Sequence, residues 1–192
     1  MPYPRDHAAR SREKLLANAY KLFISQGYDA TSIDEITEGC QLTRGAFYGH
    51  FKSKSQLYSE AIVHAARQSR LAGDKPQQLN NKTWIRELLA SYLDKDTSAK
   101  PDWPCPLAFF ATDIAHRKAQ VRGAYTNAFA SMSTHILEQA RTYSQCSEAT
   151  ALAVTVMLIG AVAVARTLAD EELRRRLLES CEQIAVAQLQ LA

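Results

Sequence analysis

Apolar residues recur along this chain at spacings of three and four, and the recurrence lays out helices one after another. Leu15, Ala19 and Phe23 fall at i, i+4 and i+8, with Leu16 and Leu22 widening the stripe, which predicts a first helix over residues 8–26. Gly27 suits the left-handed residue that closes such a helix, and Tyr28 after it can fold back onto the helix end. Ser32-x-x-Glu35 is a capping box that opens a second helix, which carries Ile33 and Ile36 and stops at Gly39. Only Cys40, Gln41 and Leu42 separate it from a third helix over residues 43–49. Ser53, with Gln56 as its partner, opens a fourth that runs towards Leu71.

The second half continues in the same period. Residues 80–93 carry Trp84, Leu88 and Tyr92, and a helix starts at Leu107. Residues 117–143 place Val121, Tyr125, Phe129, Met132 and Ile136 on one stripe. Residues 147–168 are apolar nearly all round, and the last helix, from Asp170, repeats Leu177, Ile184 and Leu191 at sevens. No stretch alternates at period two. The expectation is an all-α protein of about nine helices.

Punctuation divides the chain. Prolines occur only at positions 2, 4, 76, 101, 104 and 106, and four of the seven glycines (27, 39, 45, 49) fall within 23 residues. The division is a helix-turn-helix domain over residues 1–55, a linking helix over 53–72, and a helical domain over 73–192. A linker at 73–76 and a loop at 96–106 separate its parts. Residues 153–165 form the most apolar run and are too short to span a bilayer, so a buried helix and no membrane partner are expected. The N-terminus lacks the apolar core of a secretory leader, and the four cysteines are scattered without a CxxC or Cys/His spacing. Reduced thiols in a cytoplasmic protein, with no metal and no cofactor, follow as the expectation.

Charge sharpens the picture in one place. Residues 1–75 hold eleven Lys and Arg against eight Asp and Glu, whereas residues 76–192 hold twelve of each. All the excess positive charge therefore lies in the N-terminal part, which points weakly to an anionic partner. Within it, TRGAFYGHFKSKSQLY sets two glycines into a short helix although each costs about 1 kcal/mol relative to alanine. If Phe47 and Phe51 turn inward, packing holds the weak helix and Thr43, Arg44 and Tyr48 share its outer face. Gly45 leaves that face without a side chain, so the backbone can approach a groove closely. Helix N-termini capped by Thr31 or Ser32 and by Thr43 offer amides to anions. Two short helices joined by a tight turn fit a helix-turn-helix motif.

The run GYDATSIDEITEGCQLTRGAFYGHFKSKSQLYSEAI resembles the DNA-binding domain of the TetR (tetracycline-repressor-like) family over residues 10–60. Its most specific part is the spacing of Thr43, Gly45, Phe47, Tyr48, His50, Phe51, Lys54 and Leu57. The resemblance implies that Tyr48, His50 and Lys54 contact the DNA backbone, that Thr31 adds a phosphate contact, and that Thr43, Arg44 and Gly45 face base edges. Thr37, Glu38 and Cys40 depart from the small and aliphatic residues usual around the turn. The resemblance further implies a homodimeric repressor on double-stranded DNA with an inverted-repeat operator, released by a small-molecule inducer.

The C-terminal half adds candidates rather than a motif. A monomer has difficulty covering every face of the 153–165 run, so a second copy packing over about residues 147–192 is expected. Trp84, Tyr92, Trp103, Phe109, Phe110, Tyr125, Phe129, Met132 and His135 could line an apolar inducer cavity or fill an ordinary core. Helical spacing sets Ala111 on the cavity side. Cys105 stands at a helix entry, where amides and the macrodipole lower a thiol pKa, so control by thiol modification, or by a protein partner, is the alternative to an inducer. An enzyme built on Cys105 with His116 or His135 is disfavoured: no base is visibly paired to the thiol, and no phosphate loop, carboxylate dyad or metal motif occurs.

Overall fold

The structure, a computed structural model, describes residues 5–68, 80–93 and 105–191. Among these residues it is all helical, with α1 (Arg5–Ala30), α2 (Ile33–Glu38), α3 (Arg44–His50), α4 (Lys54–Gln68), α5 (Asn81–Tyr92), α6 (Pro106–Ile114), α7 (Ala119–Arg141), α8 (Glu148–Ala165) and α9 (Glu171–Gln188). Trp103, the 73–76 linker, the 96–106 loop up to residue 104 and the end of the linking helix lie outside the described residues.

Contacts divide the chain into two units, one of Met1–Ala65 with Phe110–Thr126, the other of Ala66–Phe109 with Asn127–Ala192. The N-terminal unit thus extends past residue 55 and takes in a segment that the sequence reading gave to the C-terminal domain. Phe110 is the reason. Its ring packs edge-on against Tyr20 and Tyr58, with centroids 5.9 and 5.2 Å away. Tyr58 also meets Phe23 at 4.7 Å, and Leu15, Leu16, Ala19 and Phe23 are all buried as the stripe on α1 requires.

Local rules set the short helices. Gly27, at φ +83°, breaks α1 where a side chain would be strained. Ser32 caps α2 by accepting from Glu35 N, while the Glu35 carboxylate accepts from Ser32 N. Thr43 caps α3 by accepting from Ala46 N. Gln41, at φ +57°, turns the chain between them. A Cβ on Gly39 would lie 2.5 Å from the Asn18 carboxamide, which donates to the Ile36 carbonyl, so close packing of α2 on α1 demands glycine there.

In the C-terminal unit α8 packs on α9, and α5 also contacts α9. The buried residues of α9 are Leu178 and Ala185, each one on from Leu177 and Ile184 of the expected repeat, while Leu191 beyond the helix is itself buried. Ile184 is exposed, as are Leu173 on the same helix and Leu152, Val156 and Val164 on α8. Both helices therefore carry a second apolar face. By length and composition α8 could also cross a membrane, yet Val154, Leu158, Ile159 and Ala161 are buried within its own unit.

Candidate nucleic-acid interface

Helix α3 is anchored from inside. Phe47 and Phe51 are fully buried, their ring centroids 5.8 Å apart, and Arg12 stacks its guanidinium over Phe51. That core holds seven residues in a helix that their own propensity would not. Its outer face carries Thr43, Arg44, Gly45 and Tyr48, all exposed, with His50 half-buried at its end. Tyr48 is 58% exposed although it touches the ring edge of buried Phe47. Gly45 has only the Thr43 hydroxyl near a would-be Cβ, and Gly49 has nothing within 4 Å, so the backbone is open to close approach.

Arg44 is paired rather than free. It forms a two-pronged bond with Asp34 of α2, which holds the Asp34 carboxyl below its ordinary range and raises the guanidinium. Both partners are exposed, so the pair contributes little to stability and yields to a better partner. Ser32 is exposed, with its amide and hydroxyl both engaged by Glu35.

One expected phosphate contact is corrected, and a second shares its donor with the fold. Thr31 is fully buried, its hydroxyl donating to the Gly27 carbonyl at 2.7 Å, and no phosphate can reach that side chain. Lys54 turns inward: its ammonium donates to the carbonyls of Tyr28 and Thr31, both at 2.8 Å, and lies 4.3 Å from the Tyr28 ring centroid. Burial lowers its pKa. One of its three N–H groups remains for an outside acceptor. Lys54 therefore first ties the 27–31 turn to α4.

A polar cluster below this turn has no counterpart in the sequence reading. Arg117 donates to both oxygens of Asp29 at 2.8 Å and to Asp113, and its guanidinium carbon lies 4.5 Å from the Tyr28 ring centroid. Tyr58 donates to Asp113 at 2.7 Å. Burial pushes the Asp113 carboxyl up, but the bonds from Arg117 and Tyr58 outweigh it and the net shift is downward. The bond from Arg117 lowers Asp29 as well. These contacts span up to 88 residues of sequence, which no local pattern could have revealed.

The proposed cavity residues fall in both units. Phe110 and Tyr125 belong to the N-terminal unit, Phe110 as core, and Ala111 is exposed. In the C-terminal unit Met132 is buried, Trp84, Tyr92 and Phe129 are half-buried, and Phe109 lies under the Arg166 guanidinium. Trp84 Nε1 and His135 Nε2 are buried without a hydrogen-bond partner. A groove of about 630 Å³ in this unit is lined by other residues, among them Asn80, Arg86, Thr142 and Tyr143. Cys105 is not activated. Burial pushes its thiol up, and bonds from Tyr92 and from the Ala108 and Leu107 amides do not overcome it.

Residues 15–61 match the family described as bacterial regulatory proteins, tetR family. Over 56 residues the chain is 45% identical to the HTH-type transcriptional regulator AcrR of Shigella flexneri, covering 29% of this chain and 26% of that protein. Over 47 residues it is 51% identical to the transposon Tn10 TetC protein of Escherichia coli, 24% of each chain. The chain thus matches only about a quarter of the length of these curated relatives. The fold likeness is wider. The reduced form of E. coli NemR superposes with a TM-score of 0.79 at 16% identity, over 92% of this chain and 95% of that one. A TetR-family transcriptional regulator from Cytophaga hutchinsonii gives 0.79 at 19%, over 96% and 98%. The helix-turn-helix over residues 15–61 thus carries the match to bacterial regulatory proteins of the tetR family, and the chain around it shares the fold of these solved structures.

Proposed function

We propose that this protein is a cytoplasmic, DNA-binding transcriptional regulator, a homodimeric repressor that sits on an inverted-repeat operator and leaves it on binding a small, largely apolar inducer. The observation that carries the reading is α3: a short helix, pinned by Phe47 and Phe51, whose exposed face offers Thr43, Arg44, Gly45 and Tyr48 and nothing that packing requires. A helix of this kind in a helix-turn-helix enters the major groove, where Arg44 exchanges Asp34 for a base edge while Tyr48 and His50 position the backbone. The matched domain shared with a regulator named HTH-type supports the same role.

The second apolar face of α8 and α9 supports dimerisation. Leu152, Val156 and Val164 lie along one side of α8, with Leu173 and Ile184 exposed on α9, and a second copy would bury them. The buried, unpartnered Trp84 Nε1 and His135 Nε2 support a ligand with a few polar groups among apolar ones. Thiol control at Cys105 is the weaker alternative, because burial disfavours the thiolate that would react.

Fluorescence anisotropy on operator and random duplexes tests the assignment. Arg44→Ala should relax discrimination at one base pair, at a cost of about 1–3 kcal/mol, and Tyr48→Ala should weaken binding to all duplexes. Equal losses on operator and random DNA for Arg44→Ala would remove Arg44 from base readout.

A further inference from the structure

Three elements that are distant in sequence meet at Tyr28. The 27–31 turn leads from α1 into α2, Lys54 begins α4, and residues 113–117 close α6 and lead into α7. Arg117 and Lys54 both stack on the Tyr28 ring, at 4.5 and 4.3 Å from its centroid. Arg117 also takes both oxygens of Asp29 in the turn and is held from behind by Asp113, which Tyr58 orients at 2.7 Å. A planar guanidinium with two carboxylates is a directional clamp, not a diffuse charge contact. The Asp29 side chain is 78% exposed and makes no other ion pair among the described residues, so nothing in its packing fixes it there except Arg117.

We propose that residues 113–117 form a latch on the DNA-binding unit: Arg117, clamped between Asp29 and Asp113, holds the 27–31 turn in the geometry that presents α2, α3 and Lys54 to DNA, so that its release lowers DNA affinity while the unit stays folded. The inference rests on the DNA-binding reading above and adds a route for its control. Phe110–Thr126 is the only described stretch after α4 that belongs to the N-terminal unit, and it is continuous at both ends with helices whose remaining residues belong to the other. A displacement of α6 or α7 therefore acts on Arg117 and Asp113 before it acts on α3. A ligand gains control by favouring the clamped or the released arrangement, and a coupling of this kind changes affinity by about five- to 150-fold. Asp113 and Arg117 act here as positioning residues, since neither lies on the exposed face of α3.

The test compares wild type with Asp29→Asn, which keeps shape at an exposed position, and with Arg117→Gln and Arg117→Lys. The readouts are affinity for a duplex that the wild type selects from a random pool, thermal melting, and amide hydrogen exchange. The expected result is an affinity loss of about five- to tenfold for Asp29→Asn and more for Arg117→Gln, with Arg117→Lys between it and the wild type. Faster exchange should be confined to residues 27–33, with the melt of Asp29→Asn unchanged. Wild type that binds its duplex while all three variants bind it equally well would overturn the latch. Faster exchange throughout the unit with a lowered melt for Asp29→Asn would overturn it too, by making the cluster a structural support. Failure of the wild type to select any duplex would instead remove the DNA-binding reading on which the latch rests.

Discussion

Lys54→Met keeps the length of the side chain and removes the ammonium, which separates two roles that the sequence merges. In the structure the ammonium donates at 2.8 Å to each of the Tyr28 and Thr31 carbonyls and stacks on Tyr28. A fully desolvated bond to a charged donor contributes about 1.5–3 kcal/mol, but Lys54 is half-buried and water can replace it, so the two bonds together are worth about 2 kcal/mol. The stacking adds about 0.5–1 kcal/mol. Freeing the side chain returns about 1 kcal/mol of entropy. The net loss of roughly 1.5–2 kcal/mol should lower the melting temperature of the N-terminal unit by roughly 6–15 °C. The remaining N–H, if it meets a phosphate, adds a second effect: a drop of about 1 in the slope of log affinity against log salt, equal on all duplexes. Circular dichroism melts and anisotropy titrations over a range of salt measure the two separately. A Lys54→Met melt that overlays the wild-type melt would refute the structural role, whatever happens to the salt slope.

Thr31→Val removes a buried hydroxyl bonded at 2.7 Å to the Gly27 carbonyl, and should cost about 1 kcal/mol of stability with no change in the salt slope; a lowered slope would restore the phosphate contact. Val156→Glu, at an exposed site on the apolar face of α8, should place an unpaired charge in the dimer interface and raise the dimer dissociation constant by at least about a hundredfold, read by sedimentation velocity. A variant that stays dimeric would move the interface elsewhere. Acid should weaken the half-buried part of the Arg117 cluster: the Asp113 carboxyl is lowered on folding, so its contribution is present above the unfolded value of about 3.9 and is lost as pH falls through the lower folded value. Melts of the N-terminal unit should be flat from neutral pH to about 5 and fall below about 4. A melting temperature that rises on acidification would contradict the sign.

What was legible in the sequence was whatever local rules determine. Ser32 and Thr43 cap their helices because the partners lie three residues on, and Phe47 and Phe51 point inward because four residues return a side chain to the same face. The exposed set Thr43, Arg44, Gly45 and Tyr48 followed from the same periodicity. Long-range choices were hidden. Lys54 could reach outward or back to carbonyls 23 and 26 residues earlier, and only the fold decides. Phe110 reads as one more aromatic of the C-terminal half until Tyr20 and Tyr58 claim it. On α9 the repeat at sevens selected Leu177 and Ile184, whereas the packed residues are Leu178 and Ala185, and only Leu191, beyond the helix, is buried where the repeat put it. A helix with two apolar faces offers the pattern two answers, and the second face is the one left exposed.

Whether α3 reads DNA from a two-fold symmetric dimer is tested most directly by the set of duplexes that the purified protein enriches from a random pool. Wild type should enrich an inverted repeat whose half-site centres lie about one helical turn, roughly 34 Å, or a multiple of it, apart. Arg44→Ala, folded and dimeric, should enrich a repeat that has lost its preference at one base pair of each half-site. Enrichment of a site without two-fold symmetry, no enrichment by the wild type, or the same enriched sequence from Arg44→Ala would contradict the account.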